Sequence, residues 1–402
     1  MKQNNIYPCI IGLGYVGLPI LMRLSKKFNT IGYDLNKNRI NLLKKGIDIN
    51  NEIKKKYINK KIKKFLTFNI DDCKKSNFYI LCIPTPITKN KKPDLRKLIH
   101  ACENLSKILK KNDIIFIEST VYPGVTKKIC EKILSKKSGL LPNKEFFIGY
   151  SPERINPGDK VNTIENISKI VAFPYLKKKK IILKVYNEIS KKIYFTKNIE
   201  EAEVAKCVEN IQRDLNIGLI NEIFLVCKKM KIDFNEVINL ASTKWNFIKY
   251  KPGLVGGHCL PVDPYYFSYV AKKNNINTNI LLAGRQTNEK MKNEIINDLK
   301  SYIKKKFTKF PSIVFAGLTY KNDVADLRNS LSMKIYEYFK KNYKNIQGYD
   351  PVIHKDIAKK IGIKNSINKL KKFDLFVVLT KHKIIKEDSK KIKVNIYNYF
   401  NQ

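Results

Sequence analysis

One cysteine of this chain lies in a setting that suits nucleophilic chemistry. Cys259 follows two glycines and a histidine in the stretch PGLVGGHCLPVD, and Asp263 lies four residues after it. A thiol in a glycine-rich loop can be exposed and form a thiolate nucleophile, unlike a thiol in an apolar run. The adjacent His258 need not face Cys259, so the two are not interpreted as a Cys–His pair. Taken alone, such a cysteine is more often structural than catalytic.

A group of polar residues shares one face of a predicted long helix. Lys206, Asn210 and Arg213 are spaced at i, i+4 and i+7, so they cover about 60° of the helix surface. They lie roughly opposite an apolar stripe, which consists of Val204, Val208, Ile211, Leu215, Leu219, Ile223 and Cys227. The spacing leaves two interpretations open, a solvated face and a functional one.

A glycine motif near the start of the chain predicts a dinucleotide site. Gly12-Leu-Gly14-Tyr-Val-Gly17 follows a predicted strand and opens a helix, as required for a tight turn, close approach of a pyrophosphate and close helix packing. The next strand ends in Asp34, 22 residues after Gly12, where a carboxylate can accept hydrogen bonds from a ribose diol. Leucine and asparagine follow Asp34 instead of arginine, which favours NAD over NADP. A glycine turn without a ligand is the weaker interpretation.

The alternation of apolar runs and helical stretches predicts an α/β protein. Short apolar runs separated by lysine-rich stretches fill residues 7–195, a helical pattern fills 200–303, and the alternation returns from residue 312. The last block repeats the first, because IVFAGLTYK, IQGYD and FDLFVVLTKH match IIGLGYVG, IGYD and FYILCIPTP. We therefore expect two Rossmann-like doubly wound domains, at 1–198 and 305–402, joined by a central helical domain at 199–304 with one long helix. The second copy keeps only Gly317 of the three glycines, so no second dinucleotide site is expected.

Two predicted strand ends carry further polar groups. Glu118-Ser-Thr120 and Ser151-Pro-Glu153-Arg154 each follow an apolar run. Ligands bind at the carboxyl ends of the strands in an open α/β sheet. Both segments are therefore candidates for the site.

The charge of the chain does not define its function. Among 402 residues, 79 Lys and Arg face 35 Asp and Glu, a net charge of +44, yet only seven of the basic residues are arginine. A nucleic-acid-binding protein would be expected to use more arginine, which contacts phosphates and bases with two hydrogen bonds. Because lysine is spread along the whole chain, the charge indicates a compositional bias on solvated surfaces.

The eight cysteines show no Cys-x-x-Cys pair, which indicates a reducing compartment without a disulfide framework or a metal site. The apolar stretch 6–22 is too short and glycine-rich to span a bilayer and lacks a cleavage site. We expect a cytoplasmic protein that binds neither a membrane nor a specific nucleic acid.

In these motifs the chain resembles the UDP-glucose/GDP-mannose dehydrogenase family along nearly its full length. The matching segments are GLGYVGLP, CIPTP, ESTVYPG, YSPERINPGD, EAEVAKCVENIQRDLNIGLINE, TKWNF, PGLVGGHCLPVDPYY and GLTYKNDVADLRNS. SPERINPGD, QRDLNI and GGHC look most like the bacterial branch that oxidises UDP-N-acetylhexosamines for surface polysaccharides. The resemblance implies an NAD domain, a central domain that forms a homodimer, and a UDP-binding domain.

The resemblance also implies a reaction and the residues that perform it. The C6 alcohol of the sugar becomes a carboxylate in two NAD-dependent oxidations, through a thiohemiacetal and a thioester on Cys259. Lys206 and Asn210 match positions that stabilise the oxyanion, and Asp263 and Glu153 match positions for proton transfer and water activation. The implied NAD contacts are Gly12, Gly14, Tyr15, Val16, Gly17, Asp34, Arg39, Thr85, Thr120 and, across the domain cleft, Arg328. The implied substrate contacts are Arg154, Ile155, Lys206, Asn210, Arg213, Gly253, Tyr320 and Lys321.

Two departures from the family pattern bear on the substrate. Val262 stands where the UDP-glucose branch usually has lysine, and the ending VNIYNYFNQ lacks the usual Asp-Arg. We expect UDP-N-acetylglucosamine or UDP-N-acetylgalactosamine as substrate, since a C4 epimer cannot be distinguished from sequence. UDP-glucose and UDP-N-acetylmannosamine are the alternatives. A two-electron hydroxyacid dehydrogenase, a nucleic-acid-binding protein and an inactive relative are more remote.

Overall fold

The computed structural model describes residues 6–50, 53, 55–58, 60–155 and 163–401. The chain divides into two compact units. Unit 1 comprises Met1–Val208 and Tyr265–Asn274, and unit 2 comprises Glu209–Pro264 and Asn275–Gln402.

Unit 1 is built around a twisted sheet in the strand order β3-β2-β1-β4-β5-β6-β7-β8. Neighbouring strands pair in parallel except for β6 and β7, which pair antiparallel, so the doubly wound sheet is mixed and not wholly parallel. Alternate residues of β1 enter separate apolar clusters, with Ile10 in one and Ile11 in the other, so both faces of the sheet are covered. The strands are β1 Pro8–Ile11, β2 Ile31–Tyr33, β3 Leu66–Thr67, β4 Phe78–Leu81, β5 Ile114–Ile117, β6 Phe147–Tyr150, β7 Lys169–Ala172 and β8 Ile193–Thr196.

The helices of this first half connect successive strands. They are α1 Gly17–Leu24, α2 Lys37–Lys44, α3 Lys60–Lys64, α4 Arg96–Ser106, α5 Lys132–Ser138 and α6 Lys179–Tyr186. A π-helical turn, Thr126–Glu131, leads into α5. Short 3₁₀ helices lie at Lys55–Tyr57, Ile70–Lys75, Leu176–Lys178, Ile367–Lys369 and Tyr399–Asn401.

The predicted long helix is α7, Ile199–Met230, and it belongs to unit 1 up to Val208 and to unit 2 beyond. Acidic residues in its first turn and lysines in its last turn complement the helix dipole. The apolar stripe of α7 is only partly buried. Leu219 is 55% exposed, whereas Lys206, expected on the opposite, wetter face, is buried. The buried face of α7 carries both apolar and polar side chains, because polar groups of other elements contact its polar residues.

Unit 2 contains a parallel sheet in the order β10-β9-β11-β12. An apolar core joins this sheet to α7, α8 and α10. The strands are β9 Ile313–Ala316, β10 Ile346–Tyr349, β11 Leu375–Val378 and β12 Asn395–Tyr397. The helices after α7 are α8 Phe234–Ala241, α9 Asp263–Lys273, α10 Asn279–Lys306, α11 Leu331–Asn342, α12 Lys355–Ile361 and α13 Lys383–Lys391. The expected α/β class, with two Rossmann-like sheets and a long central helix, is confirmed.

Two further findings concern the whole described chain. None of its helices within the described ranges is both long and apolar enough to cross a membrane. All eight cysteines are free thiols, and Cys259 is partly exposed while the other seven are buried. The contrast between Cys259 and the other cysteines is therefore confirmed.

Candidate active site

The glycine motif forms a tight loop between β1 and α1. Gly12 has a φ of +94°, and a Cβ placed on it would lie 2.6 Å from the carbonyl oxygen of Cys82. A Cβ on Gly17 would lie 1.8 Å from the carbonyl oxygen of Gly12, so α1 packs directly against the loop. Around Gly14, in contrast, a Cβ would meet no atom within 4 Å. The loop therefore leaves open space beside its backbone, as the approach of a pyrophosphate requires.

Asp34 is held in place at the end of β2. Its Oδ2 accepts a hydrogen bond from the N–H of Leu13 at 2.8 Å, and its Oδ1 accepts one from the N–H of Asn36 at 2.9 Å. The side chain is half-buried, and each carboxylate oxygen can accept more than one hydrogen bond. These features fit the ribose of NAD.

Arg39 contacts the same loop from the protein side. Its Nε donates to the carbonyl oxygen of Leu13 at 3.0 Å, and its Nη1 pairs with Oδ1 of the buried Asp48 at 2.8 Å. The guanidinium is buried and anchors the loop in this structure.

Thr85 and Thr120 lie together at the carboxyl ends of β4 and β5. The hydroxyl of Thr85 donates to the carbonyl oxygen of Thr120 at 2.5 Å, and the hydroxyl of Tyr266 donates to the carbonyl oxygen of Thr85 at 2.6 Å. Tyr266 was not predicted from the sequence, because its position fits the apolar pattern of a helix. The two threonines thus border the same edge of the sheet as the glycine loop, since β1 and β4 are neighbours.

Glu153 follows β6 at this edge and is nearly buried. Its Oε1 accepts from the N–H groups of Arg154 and Ile155, both at 2.6 Å, and its Oε2 accepts from Nζ of Lys169 at 3.2 Å. Arg154 donates through Nη1 to the carbonyl oxygen of Ser168 at 2.9 Å, and it lines a surface cavity of about 560 Å³. Lys169 was missed by the sequence reasoning because nothing in the apolar run of β7 marks it as a site residue.

The Cys259 loop belongs to unit 2 and leads into α9. The carbonyl oxygen of Cys259 accepts hydrogen bonds from the N–H groups of Val262 and Asp263, at 2.9 and 3.0 Å. Asp263 is fully buried, and its Oδ2 accepts a hydrogen bond from Nδ2 of Asn210 at 2.5 Å. The structure thus brings together Asn210, Asp263 and the cysteine loop. Arg213, one turn further along α7, is exposed.

The glycines before Cys259 pack against the loop that follows β9. A Cβ on Gly256 would lie 2.7 Å from Cβ of Tyr320, and the N–H of Gly257 donates to the carbonyl oxygen of Arg328 at 3.1 Å. The guanidinium of Arg328 pairs with both carboxylate oxygens of the buried Asp326, at 2.7 to 3.0 Å. The predicted residues Tyr320 and Arg328 therefore lie beside the cysteine loop, and Lys321 follows Tyr320 directly.

Gly253, at the other end of the loop, is fixed by a chain of buried polar side chains. Asn221 on α7 bonds both the N–H and the carbonyl oxygen of Gly253, at 2.8 and 3.0 Å. Asn221 donates to Asn288 of α10 at 2.8 Å, and Asp214 accepts from both Asn288 and the fully buried Arg285. Burial raises the pKa of Asp214 to about 6 although Arg285 opposes this shift. The sequence contained a signal for this network. Asp214 and Asn221 fall on the face of α7 that lies opposite to its exposed apolar residues.

The predicted site residues fall into two groups by unit. Unit 1 holds the glycine loop, Asp34, Arg39, Thr85, Thr120, Glu153, Arg154, Ile155 and Lys206, and unit 2 holds Asn210, Arg213, Gly253, Cys259, Asp263, Tyr320, Lys321 and Arg328. Among the described residues, no cluster of three or more His, Cys, Asp or Glu side chains is arranged to hold a metal ion. The first unit has the features of a dinucleotide-binding dehydrogenase domain.

Comparisons with known proteins agree with this class. The UDP-glucose/GDP-mannose dehydrogenase family matches in three parts: the NAD binding domain at residues 6–190, the central domain at 200–290 and the UDP binding domain at 314–400. Protein CapL of Staphylococcus aureus is 41% identical over 387 residues, which cover 95% of this chain and 91% of that protein. The UDP-N-acetyl-D-glucosamine 6-dehydrogenase of Pseudomonas aeruginosa is 40% identical over 359 residues, 89% of this chain and 85% of that protein.

A solved structure extends the similarity to three dimensions. The UDP-D-ManNAc dehydrogenase of Pyrococcus horikoshii superposes with a TM-score of 0.85 at 29% identity, over 98% of this chain and 96% of that one. The chain belongs to the UDP-glucose/GDP-mannose dehydrogenase family and is an NAD-dependent nucleotide-sugar 6-dehydrogenase. The family resemblance of its motifs is thereby confirmed.

Proposed function

We propose that this enzyme oxidises the C6 hydroxyl of a UDP-N-acetylhexosamine, either UDP-N-acetylglucosamine or UDP-N-acetylgalactosamine, to the uronic acid. The observation that carries the chemistry is the partly exposed thiol of Cys259 on a loop held by Asn221, Tyr320 and Arg328, while the other cysteines are buried. The substrate class is supported by the 40% identity to a UDP-N-acetyl-D-glucosamine 6-dehydrogenase and by Val262 in place of a lysine. We assign the uronic acid product to the synthesis of a surface polysaccharide and the enzyme to the cytoplasm.

The three segments divide the work in this proposal. Residues 1–198 bind NAD, 199–304 contribute the nucleophile and the subunit contact, and 305–402 bind UDP. The glycine loop and Asp34 fit NAD, because the space beside Gly14 is open and the carboxylate is accessible. Arg39 supports the loop, and Tyr15, Val16, Thr85, Thr120 and Arg328 complete the proposed NAD contacts.

The glycine loop and Asp34 would hold NAD, which when bound would supply the hydride acceptor for both oxidations. Cys259 adds through sulfur to the aldehyde that the first oxidation produces, and this thiohemiacetal is oxidised to a thioester. Lys206 and Asn210 stabilise the oxyanion, which the burial of Lys206 and the hydrogen bond between Asn210 and Asp263 support. Covalent capture keeps the aldehyde bound between the two oxidations.

Hydrolysis of the thioester needs a base for water, and Glu153 takes this role. Asp263 transfers protons beside Asn210, to which it is hydrogen-bonded. The cationic groups of Arg213 and Lys321 are assigned to the UDP phosphates. The remaining proposed substrate contacts are Arg154, Ile155, Gly253 and Tyr320.

The test is the number of NADH molecules formed per UDP-sugar. Four-electron oxidation predicts two NADH and one uronate per sugar, whereas a two-electron dehydrogenase would form one NADH. Cys259→Ser should abolish net four-electron turnover and leave NAD binding intact, and Cys227→Ser, a change at a buried thiol, is the matched control. Full activity of Cys259→Ser would exclude the thioester mechanism.

Substrate choice is tested on a panel of UDP-sugars. We expect kcat/KM for a UDP-N-acetylhexosamine to exceed that for UDP-glucose by at least about tenfold, which equals about 1.4 kcal/mol. Both values should fall as salt rises, because the protein is strongly positive and the substrates are anions, but their ratio should persist. UDP-N-acetylmannosamine belongs in the panel because of the similarity to the Pyrococcus horikoshii structure. Equal turnover of UDP-glucose would refute the substrate class.

We also propose a homodimer through α7. Val208, Leu219, Val226 and Met230 recur on one helix face and are each about half exposed or more in the single chain. A second copy would cover this apolar face. Sedimentation should show a species larger than 46.8 kDa at micromolar concentration, and Leu219→Lys should shift it toward the monomer, whereas Lys229→Glu, a charge change at an exposed position near the end of α7, should not.

A further inference from the structure

A buried ion-pair network lies directly behind Glu153. Nζ of Lys169, on β7, contacts Oε2 of Glu118 at 2.6 Å and Oε2 of Glu153 at 3.2 Å. The side chains of Lys169, Glu118 and Glu153 are 4%, 0% and 10% exposed. One cation therefore connects two carboxylates that follow neighbouring strands, β5 and β6.

The contacts leave the Glu153 carboxylate little freedom to rotate. The N–H groups of Arg154 and Ile155 hold Oε1, and Lys169 holds Oε2 from the opposite side. Lys169 itself is placed by β7, where its backbone N–H donates to the carbonyl oxygen of Lys192 at 2.8 Å. Strand β7 thus fixes the position of the Lys169 ammonium group, and the ammonium group fixes the orientation of the Glu153 carboxylate.

Glu118 gives the buried lysine a second partner. Its other oxygen, Oε1, accepts a hydrogen bond from the hydroxyl of Tyr186 at 2.9 Å. Burial by itself lowers the pKa of Lys169, but the two carboxylates outweigh burial and raise it above its usual value. Burying an ion pair is costly, and apolar residues of similar volume often stabilise a core as well or better. A purely structural role would need only one of the two carboxylates.

We propose that Lys169 is a positioning residue for Glu153, whose carboxylate it holds in the orientation that accepts a proton from water. The inference rests on the proposed function, in which Glu153 activates water for hydrolysis of the Cys259 thioester. In that step the water oxygen bonds to the acyl carbon, and the bond from carbon to sulfur breaks. The proton of the water passes to Glu153 and from there to solvent, the sulfur of Cys259 leaves with the bonding electron pair, and no oxidant or reductant is needed. Glu118 holds the ammonium group of Lys169 in place through a second contact while Glu153 exchanges this proton.

The titratable groups around Lys169 come from several elements. Glu118 follows β5, Tyr186 lies on α6, Cys82 follows β4, and Glu153 follows β6. Burial raises the pKa of the Cys82 thiol and of the Tyr186 hydroxyl well above their usual values, so both stay neutral near pH 7. Burial raises the pKa of Glu118 to about 7, against the opposing effect of Lys169. Glu118 therefore competes with Glu153 for the lysine mainly above this pH.

The experiment compares Lys169→Met, Lys169→Arg, Glu118→Gln and Glu153→Gln with the wild type, with UDP-N-acetylglucosamine and NAD. Lys169→Met should lower kcat by about tenfold or more, while KM for either substrate changes less than about twofold. Lys169→Arg should restore most of kcat. Glu118→Gln should lower kcat less than Lys169→Met does, because a neutral amide at position 118 leaves the contact between Nζ of Lys169 and Glu153 in place.

A second readout separates this inference from the proposed function. Acid quenching followed by mass spectrometry measures the fraction of Cys259 held as the acyl-enzyme, which should rise in Lys169→Met and more in Glu153→Gln. A Glu153→Gln enzyme with normal turnover and no acyl-enzyme would refute the role of Glu153 itself. An impaired Glu153→Gln together with wild-type kcat and no accumulated acyl-enzyme in Lys169→Met would overturn only the role of Lys169. If Lys169→Met does not fold, Lys169→Gln decides: accumulated acyl-enzyme at unchanged KM supports the inference, and wild-type turnover without acyl-enzyme overturns it.

Discussion

The loops after β1 and β9 share one design and differ in what they leave accessible. Gly12 and Gly317 both have positive φ, and a Cβ on either would lie within 2.6 Å of a carbonyl oxygen, of Cys82 or Thr380. In both loops the next N–H donates to an aspartate after the following strand, from Leu13 to Asp34 at 2.8 Å and from Leu318 to Asp350 at 2.7 Å.

The two aspartates differ in their environment. Asp34 is half-buried and accepts one described backbone N–H on each oxygen. Asp350 is fully buried, accepts the N–H groups of Leu318, Thr319 and Val352, and contacts Nε2 of His382 at 3.3 Å. The carboxylate of Asp34 therefore remains available to a ribose, whereas that of Asp350 is occupied by hydrogen bonds within the protein.

The start of the helix differs as well. α1 begins five residues after Gly12, and its Gly17 packs against the loop. α11 begins only at Leu331, and the longer loop from Tyr320 to Arg328 lies beside the cysteine loop. A helix N-terminus close to the loop favours a pyrophosphate. The loops after β1 and β9 therefore share the strand and the positive-φ glycine. They differ in the length of the loop before the helix and in the exposure of the aspartate.

The largest effect should follow from distorting the glycine loop after β1. Gly17→Ala would place a Cβ 1.8 Å from a backbone oxygen that cannot move without opening the loop. We expect kcat/KM for NAD to fall by about a hundredfold or more, about 3 kcal/mol. Asn322→Ala, at the corresponding offset after Gly317, should change it less than about twofold. Steady-state kinetics with NAD as the varied substrate measures both, and equal losses would contradict the distinction between the loops.

Replacing the two aspartates should separate stability from cofactor binding. Asp350→Asn should destabilise unit 2 by about 2–3 kcal/mol, because buried N–H groups lose a charged acceptor, and leave KM for NAD unchanged. Asp34→Ala should raise KM for NAD by about tenfold and weaken the preference over NADP. Thermal unfolding and kinetics with both cofactors check the pair. A native preference for NADP, or unchanged KM in Asp34→Ala, would refute the role of Asp34.

His382 allows a finer test of the second loop. Its Nδ1 accepts the N–H of Asp323 at 2.7 Å, and its Nε2 lies 3.1 Å from Oγ1 of Thr319, so it fixes the loop that carries Lys321. His382→Phe should raise KM for the UDP-sugar by several fold, about 1 kcal/mol, without changing KM for NAD. A matched control is His354→Phe, at an exposed histidine of the same unit. Equal effects on both substrates would contradict a role confined to unit 2.

The pH dependence of stability tests a carboxylate at the first sheet edge. Burial raises the pKa of Glu118 from 4.5 to about 7, so the folded state binds more protons than the unfolded state between these values. The contribution of Glu118 to the free energy of unfolding therefore falls as pH rises through this window, by at most about 1.4 kcal/mol per pH unit. Glu118→Gln should remove this fall, whereas Glu236→Gln on the exposed surface of α8 should not. Urea unfolding at pH 5, 6 and 7 measures the difference, and parallel curves for wild type and Glu118→Gln would refute it.

Local spacing was enough to predict the dinucleotide loop and the aspartate that follows it. Gly12, Gly17 and Asp34 act through a turn and two adjacent strands, whose geometry depends on residues near one another in sequence. The setting of Cys259 was also evident, because its glycines distinguish it from thiols in apolar runs. The α/β alternation and the long helix followed from periodicity.

Only the tertiary structure decided which face of α7 is buried and how Glu153 is held. The apolar stripe predicted the helix correctly, but Lys206 and Asp214 lie inward and Leu219 outward. The partners of these groups come from distant parts of the chain: Arg285 meets Asp214 across 71 residues, and Lys169 meets Glu118 across 51. A buried charge is stable only where a distant partner is brought to it, and the position of that partner depends on how the strands and helices pack. Helical or strand periodicity records which residues are apolar, and it carries no information about which polar residues will be paired inside.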